Sequence, residues 1–226
     1  MFNFKHQAPV PPTPPGIVDL TGKTILITGS NQGMPFEVGF SQAEPRSIQY
    51  KPLTSSQGIG LECARQLLIL KASTIILAVR TPSKGEAARQ LLLADPTIAS
   101  LRTRPEIKVM QLDMASYESV VHFSNRVKTE FKKLDAALLN AGVGQLNFEK
   151  AETGHEKGLQ VNHLSNALLA VELLPLLKST AVQTGAPSRL TWVGSRTHER
   201  SSFAGKAPFL SGSSVCMYIL FSLPWW

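Results

Sequence analysis

The chain has 226 residues, 43% hydrophobic and 17% charged, which supplies one sizeable core and excludes a disordered or collagen-like polymer. Twenty-three Lys and Arg against sixteen Asp and Glu give a charge of +7, scattered rather than striped. That pattern argues against nucleic acid as a partner and suits a phosphate-bearing small molecule equally well. Two cysteines, Cys63 and Cys216, exclude a disulfide scaffold and fit a reducing, cytoplasmic setting.

Residues 1–16 read as a proline-rich leader, with Pro9, Pro11, Pro12, Pro14 and Pro15 and none of the apolar stretch of a secretory signal. The run Thr24–Thr28 is short, β-branched and apolar, and predicts a buried parallel strand. Apolar spacing over 61–70 predicts a helix. Thr74–Val79 reads as a second strand and 83–94 as a second helix. Residues 108–112 form a third expected strand and 116–132 an amphipathic helix. Ala136–Leu139 is the fourth strand, 155–177 a long helix, and 189–193 the fifth strand. Strands alternating with helices predict a doubly wound α/β domain over 17–200, built on a parallel sheet with right-handed connections.

Two stretches break the rhythm. Residues 34–57 carry three prolines and no sustained period, so they read as an inserted surface loop. Residues 201–226 form an atypical tail whose apolar end, 215–226, is the one segment that could touch a membrane, but it is short. No apolar run reaches the roughly 18 residues that span a bilayer, so a membrane partner is not expected.

Strand one runs into Thr28-Gly29-Ser30-Asn31-Gln32-Gly33, and the first helix is preceded by Gly58-Ile59-Gly60. Removing residues 33–57 joins them as Thr-Gly-Ser-Asn-Gln-Gly-Ile-Gly. A strand, a glycine-rich turn and a helix in succession let the backbone approach a pyrophosphate at the helix's positive end. Leu112-Asp113-Met114 follows strand three, Asn140-Ala141-Gly142 follows strand four, Asn162 sits in the long helix, and Val193-Gly194-Ser195 ends strand five. After strand two, Arg80 and Lys84 stand where an NAD site would usually place an acidic residue for the ribose 2′-hydroxyl. Taken singly, each has a plainer reading. Asp113 would cap a helix, Asn140 would make a turn, Asn162 would face solvent, Ser195 would be a loop serine, and Arg80 and Lys84 a solvated basic turn. His198 reads as a surface histidine.

In this order the motifs resemble those of the short-chain dehydrogenases and reductases, with the likeness greatest to retinol-dehydrogenase-like and fungal members. The resemblance implies a Rossmann fold and hydride transfer between a nicotinamide cofactor and a small carbonyl or secondary alcohol. It implies cofactor contacts from Thr28, Gly29, Ser30, Gln32, Gly58, Ile59, Gly60, Asp113, Asn140, Ala141 and Gly142, with NADP preferred over NAD through Arg80 and Lys84. Ser195 would orient the substrate oxygen, and Asn162 would support a proton-relay water; no metal is implied.

The same resemblance implies a tyrosine with a lysine four residues later, because a free phenol titrates near 10 and needs a nearby cation to act at neutral pH. None of Tyr50, Tyr117 and Tyr218 has that lysine; position 222 is Ser, and no lysine follows Lys206. The domain therefore reads as C-terminally truncated before the pair, with Tyr218 a packing residue in the tail. Retained introns or a splice variant would account for both the interruption and the tail, with real divergence the alternative. Two functions stay open: an NADP-dependent oxidoreductase by lineage, or a catalytically inactive nucleotide-binding or interaction protein. The oligomeric state is left open as well.

Overall fold

The computed structural model describes residues 18–30, 58–144, 148–194 and 222–224. Its elements in chain order are β1 (Thr24–Thr28), α1 (Ile59–Ile69), β2 (Thr74–Val79), α2 (Pro82–Leu93), α3 (Pro96–Ala99), β3 (Glu106–Gln111), α4 (Tyr117–Glu130) and β4 (Ala136–Leu139). They continue as α5 (Lys157–Leu159), a π-helical turn (Gln160–Leu164), α6 (Ser165–Thr184), β5 (Arg189–Trp192) and β6 (Ser222–Pro224).

The strand order is β3-β2-β1-β4-β5-β6. β1 to β5 are parallel throughout, and the three-residue β6 lies antiparallel on β5. The doubly wound architecture expected from the alternation is the one present. β1 is the pivot: the chain winds outward through β2 and β3 on one side, then returns to place β4 and β5 on the other. The loops after β1 and β4 thus part in opposite directions at the strands' carboxyl ends, and such a switch point opens a crevice.

Because side chains alternate across a strand, each face of the sheet collects its own apolar set. Leu26, Ile76, Met110, Leu139 and Leu190 face α4 and α6, where they meet Val120, Phe123, Val127, Leu169, Leu173 and Leu177. Ile25, Ile27, Ile75, Leu77 and Ile107 face the other way, against Leu61, Ala64 and Leu68 of α1, Ala88 and Leu92 of α2, and Ile98 of α3. Each such fully buried aliphatic side chain contributes about 1.5–3 kcal/mol, so the two faces together hold the sheet. The helical stretch Lys157–Thr184 is long and apolar enough to cross a membrane by composition. Here its Leu169, Leu173, Leu176 and Leu177 are buried against the sheet and α4.

Local chemistry sets the boundaries. α3, a single turn, is started by Asp95, whose carboxylate accepts from Thr97 and Ile98 N–H with Pro96 next in line. Ser116 caps α4 by accepting from Ser119 N–H at 3.2 Å. α6 runs on past the expected end at 177 until Gly185, at φ +64°, adopts the left-handed conformation that stops a helix.

Candidate functional site

At the carboxyl ends of β1 and β4 the backbone is clamped by side chains. Thr28 Oγ1 accepts from Asn140 N–H at 2.9 Å and from Ala141 N–H at 2.8 Å. In return, Asn140 Nδ2 donates to Thr28 O at 3.1 Å and Gly29 O at 3.3 Å. Gly29 sits at φ +67°, and a Cβ there would come within 2.8 Å of Ala141 Cα. A Cβ on Gly60 would meet Asn140 Nδ2 at 2.6 Å, Gly29 O at 2.8 Å and Ser30 Cα at 3.1 Å. Both glycines are therefore demanded by protein packed against protein, a reason additional to the ligand approach read from the sequence.

That contact also locates the ends of the interruption. Ser30 lies directly beside Gly60, so the first helical turn of α1 stands at the end of β1 although residues 31–57 separate them in the chain. Gly58 is the N-cap of α1, and no side chain among the described residues caps it. Ser30 Oγ is fully buried and has no hydrogen-bond partner among the described residues. An uncapped helix N-terminus and an unsatisfied hydroxyl at one point fit the pyrophosphate of a dinucleotide. Glu62, in the first turn, is turned aside: Arg65 takes it at 2.7 and 2.8 Å and holds its carboxyl below the usual carboxylate range. Burial pushes the neighbouring Cys63 thiol up, which disfavours its thiolate form.

β2 delivers an exposed Arg80 and then α2, whose N-cap Thr81 makes no side-chain cap and whose first residue is Pro82. Lys84 lies in the first turn of α2, so two cations flank a helix N-terminus on the side of the sheet next to β3. After β3, Asp113 Oδ1 accepts from Ala115 N–H at 2.9 Å, and Asp113 N–H donates to Ser119 Oγ at 2.9 Å. Asp113 thus braces the turn before α4, while the cap itself is Ser116.

Asn162 does not face solvent: it is 2% exposed, inside the π-helical turn. Its Oδ1 accepts from Val143 N–H at 2.7 Å and its Nδ2 donates to Val143 O at 2.9 Å, tying the turn to the chain beyond Asn140-Ala141-Gly142. Asn166, absent from the sequence reading, donates from Nδ2 to Val161 O at 2.9 Å and Ala141 O at 3.2 Å. An asparagine four residues beyond Asn162 in an otherwise apolar helix was the available signal. His163 stacks on Trp192 with ring centroids 5.6 Å apart, beside the end of β5. Ser195 and Gln32 lie outside the described residues, as do Tyr50, Tyr218, His198 and the segment 34–57. Thr28, Gly29, Ser30, Gly58, Ile59, Gly60, Asn140 and Ala141 are brought together around the β1–β4 switch point, with Gly142 and Asn162 next to them. Arg80, Lys84 and Asp113 stand along the same sheet end, toward β3.

With this geometry the comparisons with known proteins agree. The family model described as short chain dehydrogenase matches residues 53–187. The chain is 46% identical over 209 residues to the short chain dehydrogenase yanD of Aspergillus niger, covering 92% of this chain and 56% of that protein. It is 42% identical over 213 residues to the short chain dehydrogenase macD of Penicillium terrestre, covering 94% and 57%. The chain thus spans just over half the length of these curated relatives. Among solved structures, the Pseudomonas aeruginosa RhlG/NADP active-site complex superposes with a TM-score of 0.56 at 21% identity, over 84% of this chain and 59% of that one. That likeness speaks for the fold.

Proposed function

Because the chain belongs to the short-chain dehydrogenase family, we propose that it forms the cofactor-holding part of an oxidoreductase acting on a small carbonyl or secondary alcohol, with NADP(H) preferred over NAD(H). The bound cofactor supplies hydride transfer at its nicotinamide ring. What supports the reading is the junction at the switch point, where Gly60 meets Asn140, Gly29 and Ser30, and Gly29 meets Ala141, although distant in sequence.

In this reading Thr28, Gly29, Ser30 and Gln32, with Gly58, Ile59 and Gly60, hold the pyrophosphate through backbone N–H groups and the Ser30 hydroxyl. Asp113 borders the adenine. Arg80 and Lys84 hold the 2′-phosphate by charge-assisted hydrogen bonds. Asn140, Ala141 and Gly142 shape the nicotinamide end, Ser195 orients the substrate oxygen, and Asn162 keeps a proton route in register with it. No tyrosine among the 226 residues has a lysine four positions on. That observation favours a second reading of this chain by itself, cofactor binding without turnover.

Two measurements test these statements. Charge reversal of Arg80 and Lys84 to Glu is expected to weaken NADPH binding by about ten- to hundredfold, the worth of hydrogen bonds to charged groups, and to leave NADH nearly unchanged. Equal losses for both cofactors would remove the NADP preference. Incubation of the 226-residue chain with NADPH and a panel of ketones and aldehydes is expected to show binding but no oxidation. Turnover that Tyr218→Phe abolishes would make Tyr218 the proton donor and overturn the second reading.

A further inference from the structure

Asn166 is fully buried in an apolar helix, a costly place for a carboxamide. Its Oδ1 finds no hydrogen-bond partner among the described residues, so the compensation for its burial lies in what Nδ2 does. The π-helical turn supplies the explanation. Ser165 N–H reaches back five residues to Gln160 O, and this widening disturbs the four-residue ladder at the point where Asn162 projects. Asn166 Nδ2 fills the gap, donating to Val161 O at 2.9 Å, with Asn162 O at 3.4 Å alongside. The same nitrogen crosses to Ala141 O at 3.2 Å, on the loop that Thr28 clamps from the other side.

We infer that Asn166 is a positioning residue that holds the widened turn carrying Asn162 against the Asn140-Ala141-Gly142 loop. Asn162 and Asn166 work as two ties on consecutive sides of one strap: Asn162 grips Val143 and Asn166 grips Ala141. Without the second tie the loop retains its Thr28 anchor but gains freedom between Ala141 and Val143, where the nicotinamide end of the cofactor is placed. The consequence for cofactor rests on the function proposed above; the consequence for loop order does not.

Hydrogen–deuterium exchange read by mass spectrometry on the full chain tests it. Asn166→Leu keeps the branching of the side chain at the cost of bulkier methyl groups, and removes both the donor and the acceptor that lacks a partner among the described residues. Leu176→Ala, on the same helix, serves as a control that lowers stability without touching either tie. Asn166→Leu is expected to speed exchange of the 140–144 amides by about tenfold over the control at matched global stability. Exchange there that merely tracks the control would overturn the inference. If the leucine variant does not fold, Asn166→Ser is judged by the same comparison. An NADPH titration then separates the two claims. Where the wild-type chain binds, the variant's Kd is expected to rise about tenfold, and an unchanged Kd would confine Asn166 to a structural role. Where the wild-type chain binds neither NADPH nor NADH, the proposed function fails, and the exchange data still decide the role of Asn166.

Discussion

Replacing Thr28 by Val preserves its shape and removes the oxygen that accepts from both Asn140 and Ala141. Each N–H left without a partner in this buried corner costs about 1–3 kcal/mol, so Thr28→Val is expected to lower unfolding stability by at least about 2 kcal/mol in a urea titration. A change under about 0.5 kcal/mol would show that the clamp carries no weight. Gly60→Ala tests the neighbouring contact through sterics alone, since its methyl group would press on Asn140 Nδ2 and Gly29 O. Overpacking of this kind typically costs about 1–3 kcal/mol. Residue types and order made these positions legible as a group, while their individual duties stayed hidden. For Asn162, marked as a site residue by its place among the motifs, only the plainer alternative of a solvent-facing side chain is removed by the structure, because a regular helical pattern does not announce the π-helical turn that buries it. For Asp113, expected at the cofactor, the alternative role of helix cap falls to Ser116 three residues later, a competition between two good capping residues that spacing alone does not decide.

β1, β2 and β4 fall on the very residues expected, because each is a short apolar run bounded by turn-forming residues or charge. The long helix was legible as one continuous element, but its division into α5, a π-helical turn and α6 depends on side-chain bonds made to another loop. α3 was missed, being a single turn held by one cap and one buried Ile98. The interruption is the informative case at this level. Ser30 and Gly60 are adjacent, so removing residues 33–57 asks for no movement of β1 or α1. Closing a long connection costs about 0.6 kcal/mol more for each doubling of its length. The shortened chain is therefore expected to gain about 1–2 kcal/mol of stability with the same fold. A loss of stability on removal would mean that the segment contributes packing of its own.

Taken as a whole, the molecule is a two-faced sheet whose order reverses at β1, and that reversal brings the glycine-rich turn, the first helix and the loop after β4 to one place. The arrangement was legible because alternating strands and helices admit few topologies and the right-handed crossover rule removes most of them. Substrate choice was not legible, and the chain spans just over half the length of its curated relatives. In the function proposed above, residues on either side of the interruption make one cofactor cradle. Calorimetric titration of NADPH into the 226-residue chain and into the chain lacking residues 33–57 tests that arrangement most directly. Weak binding by the first and binding at least about tenfold tighter by the second is the expected result, because β1 and the α1 N-terminus adjoin in both chains while closing the longer turn around a pyrophosphate costs more entropy. Absence of binding by both chains, or equal dissociation constants, would contradict it.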